Sequence, residues 1–313
     1  MGMIDRIRAG FADARPRALS LALQGGGSFG AFTWGALDRL LEDERIAFDV
    51  VSGASAGAVN AALLACGLAE GGREGAREKL AAFWKSMSAA ASFLPPAAMG
   101  AFARALSPYQ FNPFDLNPLR RGLNAAIDFE RLRATAAPRL MIAATRVSDG
   151  GLRIFRNAEL SADVVLASAC LPLVHHAVEI DGEPFWDGGY AANPPLVPLV
   201  RETRARDVLV VQVTPTRAAR LPRDRGDIVR RLEQIAFNAT LNAEIEALKL
   251  AAGLRATKKL RDIRIDRIAA EDEIDGLVGR SAGDLGWRFL EDLRDAGRRS
   301  ADAWIAERDE GRR

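Results

Sequence analysis

At 313 residues, 49% apolar and 27% charged, the chain has the make-up of a folded globular protein, which excludes the disordered, collagen-like and disulfide-stapled classes. Lys and Arg number 43 against 41 Asp and Glu, and a net charge of +2 offers no global field that would mark nucleic acid as a partner. The only cysteines, Cys66 and Cys170, lie in apolar segments, and the only histidines, His175 and His176, are adjacent, so no disulfide or transition-metal site is expected.

Residues 1–17 read as an N-terminal extension without the apolar core of a signal peptide. The longest apolar run, residues 61–66, falls far short of the ~20 residues that span a bilayer. A cytoplasmic protein is expected, peripheral to lipid at most. Alternating Leu19, Leu21 and Leu23 predict a strand up to Gln24, followed by the turn Gly25-Gly26-Gly27-Ser28-Phe29-Gly30 and a helix over residues 31–44. The pattern repeats at once: a strand over 48–52, the turn Gly53-Ala54-Ser55-Ala56-Gly57, and a small-residue helix over 58–68. Consecutive strand–turn–helix units predict parallel strands with helices packed on the sheet. A further helix spans 71–88. Residues 92–117 are rich in Phe, Pro and Ala without a period, and Phe93, Leu94, Met99, Phe102, Phe111 and Phe114 there suit an apolar lid or lipid-facing wall. Strands over 140–145 and 152–155 flank the turn at 148–151, a helix covers 161–170, and residues 178–180 and 184–186 flank Asp181-Gly182. Residues 208–213 read as a final buried strand, and helices over 227–250 and 284–306 make residues 216–313 a helical part of the same domain as a core at 18–215.

Gly53-Ala54-Ser55-Ala56-Gly57 fits the G-x-S-x-G elbow, in which a strained strand-to-helix turn lifts a serine hydroxyl clear of the sheet edge. The plain alternative is a helix N-cap serine. The loop from Gly25 to Gly30 satisfies two patterns: the G-x-G-x-x-G of dinucleotide-binding proteins, and a cradle of amides for a developing oxyanion. The dinucleotide pattern lacks its acidic anchor, because the second strand ends in Ser52-Gly53. A serine needs a base. His175 or His176 would make a Ser-His-Asp triad, whereas Asp187-Gly188-Gly189 offers a carboxylate acting directly; Asp149-Gly150-Gly151 repeats that triplet but sits where a hairpin turn is expected.

In combination, G-G-G-x-x-G, then G-x-S-x-G, then D-G-G resembles the patatin-like phospholipase family, supported by Leu21-Ala22-Leu23-Gln24, Val59-Asn60-Ala61-Ala62 and Asn193-Pro194-Pro195-Leu196. The resemblance implies an α/β class, three-layer α/β/α fold with a mainly parallel sheet, and hydrolysis of lipid acyl esters without metal or cofactor. It further implies Ser55 as nucleophile, Asp187 as base and the amides of Gly25, Gly26 and Gly27 as oxyanion hole. Gly30, Gly53, Gly57, Gly188 and Gly189 complete the motifs. Phe29 stands where many relatives carry a cation. The implied partner is a lipid or acyl ester, with no nucleic acid and no obligate protein partner. An inactive lipid-binding relative and a nucleotide-dependent enzyme using Gly25–Gly30 are the alternatives.

Overall fold

The computed structural model describes residues 16–92, 106–136, 138–218, 220–254, 258–274 and 276–310. In chain order, β1 (Arg17–Leu23) leads through a short 3-10 turn into α1 (Gly30–Glu42), and β2 (Ile46–Gly53) leads into α2 (Ala56–Ser92). Then follow α3 (Pro118–Ala126), β3 (Arg139–Arg146), β4 (Leu152–Phe155), α4 (Ala162–Ser168), β5 (Val178–Ile180) and β6 (Glu183–Asp187). The chain closes with α5 (Leu196–Glu202), β7 (Asp207–Gln212), α6 (Arg225–Gly253), β8 (Arg264–Ala269) and α7 (Trp287–Glu310).

The strands form one sheet in the order β5-β6-β3-β2-β1-β7-β8, with β4 paired to β3. Contacts from β3 through β2, β1 and β7 to β8 are parallel, while β4, β5 and β6 pair antiparallel. Period-two side chains divide the core into two layers. Leu19, Leu21, Leu23, Val51, Ile142, Leu209 and Val211 pack with Phe32, Leu37, Leu63 and Leu290 of α1, α2 and α7. Ala22, Val50, Met141, Val208 and Val210 face the other way, against Leu199 of α5 and Leu241 and Leu248 of α6. This is the predicted three-layer α/β/α arrangement.

Two expectations are corrected. Residues 216–313 are not purely helical, and 208–213 is not the last strand: β8 extends the sheet beyond β7 in full parallel register, from Asp207 opposite Arg264 to Gln212 opposite Ala269. The separate helices expected over 58–68 and 71–88 are both present: the span labelled α2 is two helical segments that meet at a kink, where Gly71 leaves helical geometry and Gly72 takes φ 64°. The first 15 residues and 93–105 of the proposed lid, with Phe93, Leu94, Met99 and Phe102, lie outside the described residues. Among the described residues no helix is long and apolar enough to cross a membrane.

Candidate active site

Strand register brings the two carbonyl-end turns and the D-G-G segment together. Leu23, Gly53 and Ile142 lie in one row across β1, β2 and β3. Two residues further along β3, Ala144 pairs with Asp187 at the end of antiparallel β6, just as Ser55 lies two residues beyond Gly53. A turn after β2 and a strand arriving from 132 positions downstream (187 − 55) therefore meet at one edge of the sheet.

Ser55 sits at the elbow between β2 and α2 with φ at 53°, a left-handed conformation that costs an L-residue about 1–2 kcal/mol. Its amide is held by α4, donating to the Ser168 carbonyl at 3.1 Å and to Ser168 Oγ at 3.0 Å. The glycine at 57 is sterically required, since a Cβ there would lie 2.0 Å from the Leu23 carbonyl oxygen. The N-terminus of α2 begins immediately after Ser55, where the helix dipole favours negative charge.

The glycine loop after β1 lies against this elbow: a Cβ on Gly25 would stand 2.6 Å from Ser55 Cβ, and one on Gly30 2.7 Å from Ala56 Cβ. The three amides expected to form the cradle differ. Gly25 N–H is already engaged, donating to Asn193 Oδ1 at 2.7 Å. Gly26 and Gly27 amides meet no acceptor among the described residues, while Ser28 N–H donates to the Ala282 carbonyl at 2.7 Å. Asn193 is fully buried, and its Nδ2 also donates to the Phe237 carbonyl at 3.1 Å. Thr214 Oγ1 holds the Gly25 carbonyl at 2.9 Å. Behind it, Gln24 Oε1 accepts the amides of Val213 and Thr214, and Gln24 Nε2 donates to Asn238 Oδ1.

Asp187 is completely buried. Its amide donates to the Cys170 carbonyl at 2.8 Å, its carbonyl accepts Thr145 Oγ1 at 2.7 Å, and Oδ1 accepts Gly189 N–H at 2.8 Å. Oδ2 is buried without a hydrogen-bond partner among the described residues. Burial pushes the carboxyl up to about 7, against the smaller opposing pull of the nearby Ser55 hydroxyl and the Gly189 amide. The glycines beside it admit close neighbours: a Cβ on Gly188 would lie 2.2 Å from the Ala143 carbonyl oxygen, and one on Gly189 2.6 Å from the Phe237 ring.

The competing candidates are occupied elsewhere. Asp149 accepts the Gly151 amide and pairs with Arg146 in the β3–β4 turn, which holds its carboxyl below the usual range. His176 stacks on Tyr109 with ring centroids 4.1 Å apart, and burial holds His175 below the usual imidazole value. Among the described residues, neither imidazole hydrogen-bonds to Ser55 or Asp187. Beside the elbow opens an apolar cavity of about 410 Å³, walled by Gly27, Ala56, Val59, Trp84, Leu119 and Leu285, with His175 at its edge. Of the proposed lid residues that are described, Phe111 is half-buried and Phe114 is exposed. A larger cavity of about 600 Å³ lies between β7, β8 and α6, and contains none of these groups.

Ser168 and Asn193 are the side chains that motif reading left without a role. Asn193 had a signal, its place in the Asn-Pro-Pro segment; Ser168, in an ordinary helical stretch, had none.

A hydroxyl on a strained turn, unengaged amides and a buried carboxylate beside an apolar cavity form a set of groups capable of acyl-transfer chemistry. Comparison with known families agrees with that chemistry: the patatin-like phospholipase family model matches residues 21–200. The chain belongs to the patatin-like phospholipase family, a family of lipid hydrolases. Comparison with curated proteins finds no match. Solved structures similar to the chain include VipD from Legionella pneumophila, at 16% identity and a TM-score of 0.40, covering 90% of this chain and 67% of that one. The type III effector protein ExoU aligns at 15% identity and 0.39, covering 94% and 53%. The heterodimeric ExoU–SpcU complex from the type III secretion system of Pseudomonas aeruginosa aligns at 18% and 0.34, covering 95% and 61%. This chain thus spans between about half and two thirds of those proteins.

Proposed function

We propose that the protein is a serine acyl-ester hydrolase acting on lipids, with a phospholipase A or lysophospholipase type of reaction. Ser55 is the nucleophile and Asp187 the base. The observation that carries this reading is the unpartnered Oδ2 of a buried carboxylate lying close to the Ser55 hydroxyl. Asp187 takes the Ser55 proton as Oγ attacks the acyl carbonyl, and the resulting oxyanion is met by the amides of Gly26 and Gly27. Gly25 contributes the close approach of the loop, and its own amide anchors that loop to Asn193. The proton passes from Asp187 to the departing alkoxide. Asp187 then deprotonates the water that attacks the acyl-enzyme, and returns that proton to Ser55 Oγ. The apolar cavity beside Gly27 and Ala56 receives the acyl chain.

A fluorophosphonate probe tests the nucleophile: wild type is labelled and Ser55→Ala is not. Asp187→Asn lowers turnover of a soluble ester at least ~10³-fold, whereas His175→Ala and His176→Ala keep most of it. Loss of activity on the histidine substitutions with Asp187→Asn still active would restore a histidine base. Absence of labelling in wild type would favour a binding role.

A further inference from the structure

Large apolar side chains stand in solvent at several places, among them the turn after Cys170 and the start of α6. Leu173, 77% exposed, projects from the turn after Cys170, whose carbonyl holds the Asp187 amide. Phe114, 83% exposed, belongs to the stretch that packs on the same turn through Tyr109, which stacks on His176 and accepts the Ala177 N–H. On the α6 side, Tyr190 meets Phe237 edge to face at 5.2 Å. Ile228, Leu232 and Ile235, between about half a turn and two and a half turns before Phe237, are exposed at i, i+4 and i+7, an apolar face on the solvent side of α6 roughly opposite Phe237.

The start of this face is basic. Residues 220–231 hold Arg220, Arg223, Arg225, Arg230 and Arg231 against Asp224 and Asp227. Asp224 caps the helix by accepting the Asp227 amide, and Asp227 pairs with Arg230 and Arg220. Both acids are therefore engaged, and Arg223 and Arg225 stand exposed without an acidic partner among the described residues. An apolar helical face bordered by unpaired guanidinium groups suits a bilayer surface with negative headgroups, the rings and aliphatic chains entering the acyl boundary.

We propose that Ile228, Leu232 and Ile235 of α6 dock the protein on an anionic phospholipid bilayer, and that Arg223 and Arg225 select the negative charge. The proposal rests on the lipid-hydrolase reading of the adjacent site.

Flotation of the full chain with phosphatidylcholine vesicles, with and without phosphatidylglycerol, tests it. Wild type is expected to partition at least ~10-fold more strongly onto the phosphatidylglycerol vesicles, and to lose that preference at high salt. Arg223→Gln with Arg225→Gln removes the preference. Ile228→Asp with Leu232→Asp lowers partitioning at least ~10-fold, while turnover of a short soluble ester stays at the wild-type rate. Equal partitioning of wild type and variants overturns the proposal. So does a wild-type dimer that Leu232→Asp converts to monomer without vesicle binding, which assigns the face to a second copy. If no soluble ester is hydrolysed but the vesicle pattern holds, the hydrolase reading fails and the docking surface stands.

Discussion

Asp187 shows what burial does to a single carboxyl group. With its folded-state value pushed up to about 7 by desolvation, the group is largely protonated in mild acid and becomes a base near neutrality. Hydrolysis of a soluble ester should climb with pH through about 7, read as kcat/KM; a rate level from about pH 5 to pH 8 contradicts the assignment. The same shift has a consequence for stability. Because the folded value exceeds the unfolded one, the contribution is full below the unfolded value near 4 and is lost as pH rises through about 7. Asp187→Asn should therefore match wild type in denaturant titrations near pH 4 and exceed it at pH 8 by up to about 4 kcal/mol. Asn193 acts at one remove. By holding Gly25 it aims the next two amides, so Asn193→Ala should lower kcat on a soluble ester about 10-fold or more, leave KM nearly unchanged, and keep the acid limb at about 7. A shifted pH profile or a risen KM would instead mean that the substitution disturbs the whole pocket.

At the level of elements, the glycines of the two turns are fixed by backbone that passes within a Cβ radius. Gly57→Ala sets a methyl 2.0 Å from the Leu23 carbonyl oxygen, between the end of β1 and the start of α2, where neither can yield. It should destabilise by more than ~3 kcal/mol in denaturant titration and abolish fluorophosphonate labelling, while Gly150→Ala, at φ 70° in open space, carries only the backbone strain of about 1–2 kcal/mol. These turns were legible in the sequence because each lies between a period-two run and a helical face, so local pattern and steric need coincide. β8 was not. Its residues Arg264, Asp266 and Arg267 carry charge, as an edge strand does to discourage pairing with another chain, and no apolar alternation marks it. Short α3 and α5 were equally hidden, each offering fewer than three helical turns of pattern. Partners across the fold were the least legible: Ser168 reaches Ser55 over 113 residues and Asn193 reaches Gly25 over 168, separations that no period encodes. The spent amide of Gly25 belongs with these, because motif spacing identifies a glycine loop and says nothing of which N–H remains free.

Over the whole molecule, the near-zero net charge conceals carboxylates with opposite pH behaviour at the two ends of the sheet. Asp187 lies at the carbonyl end; Asp207 opens β7 at the other, pairing with Arg17 of β1, Arg264 of β8 and Arg308 of α7, and so ties the chain's first strand, last strand and last helix to one point. Two of those guanidinium groups are themselves mostly buried, at 18% and 11% exposure for Arg17 and Arg308, so removing the carboxylate leaves cations that water cannot fully solvate. Asp207→Asn should lose about 3–5 kcal/mol at pH 7 in denaturant titration, although it lies far along the sheet from Ser55. The arginines hold the Asp207 carboxyl below its usual value, so its contribution is present above the unfolded value near 4 and disappears as pH falls through the lower folded one. The gap between Asp207→Asn and wild type should accordingly close in acid below about pH 4, the reverse of the Asp187→Asn difference, which opens only as pH rises toward 8. A gap for Asp207→Asn that is constant with pH would mean the arginines are held chiefly by stacking of their guanidinium groups on Trp304 rather than by the ion pairs.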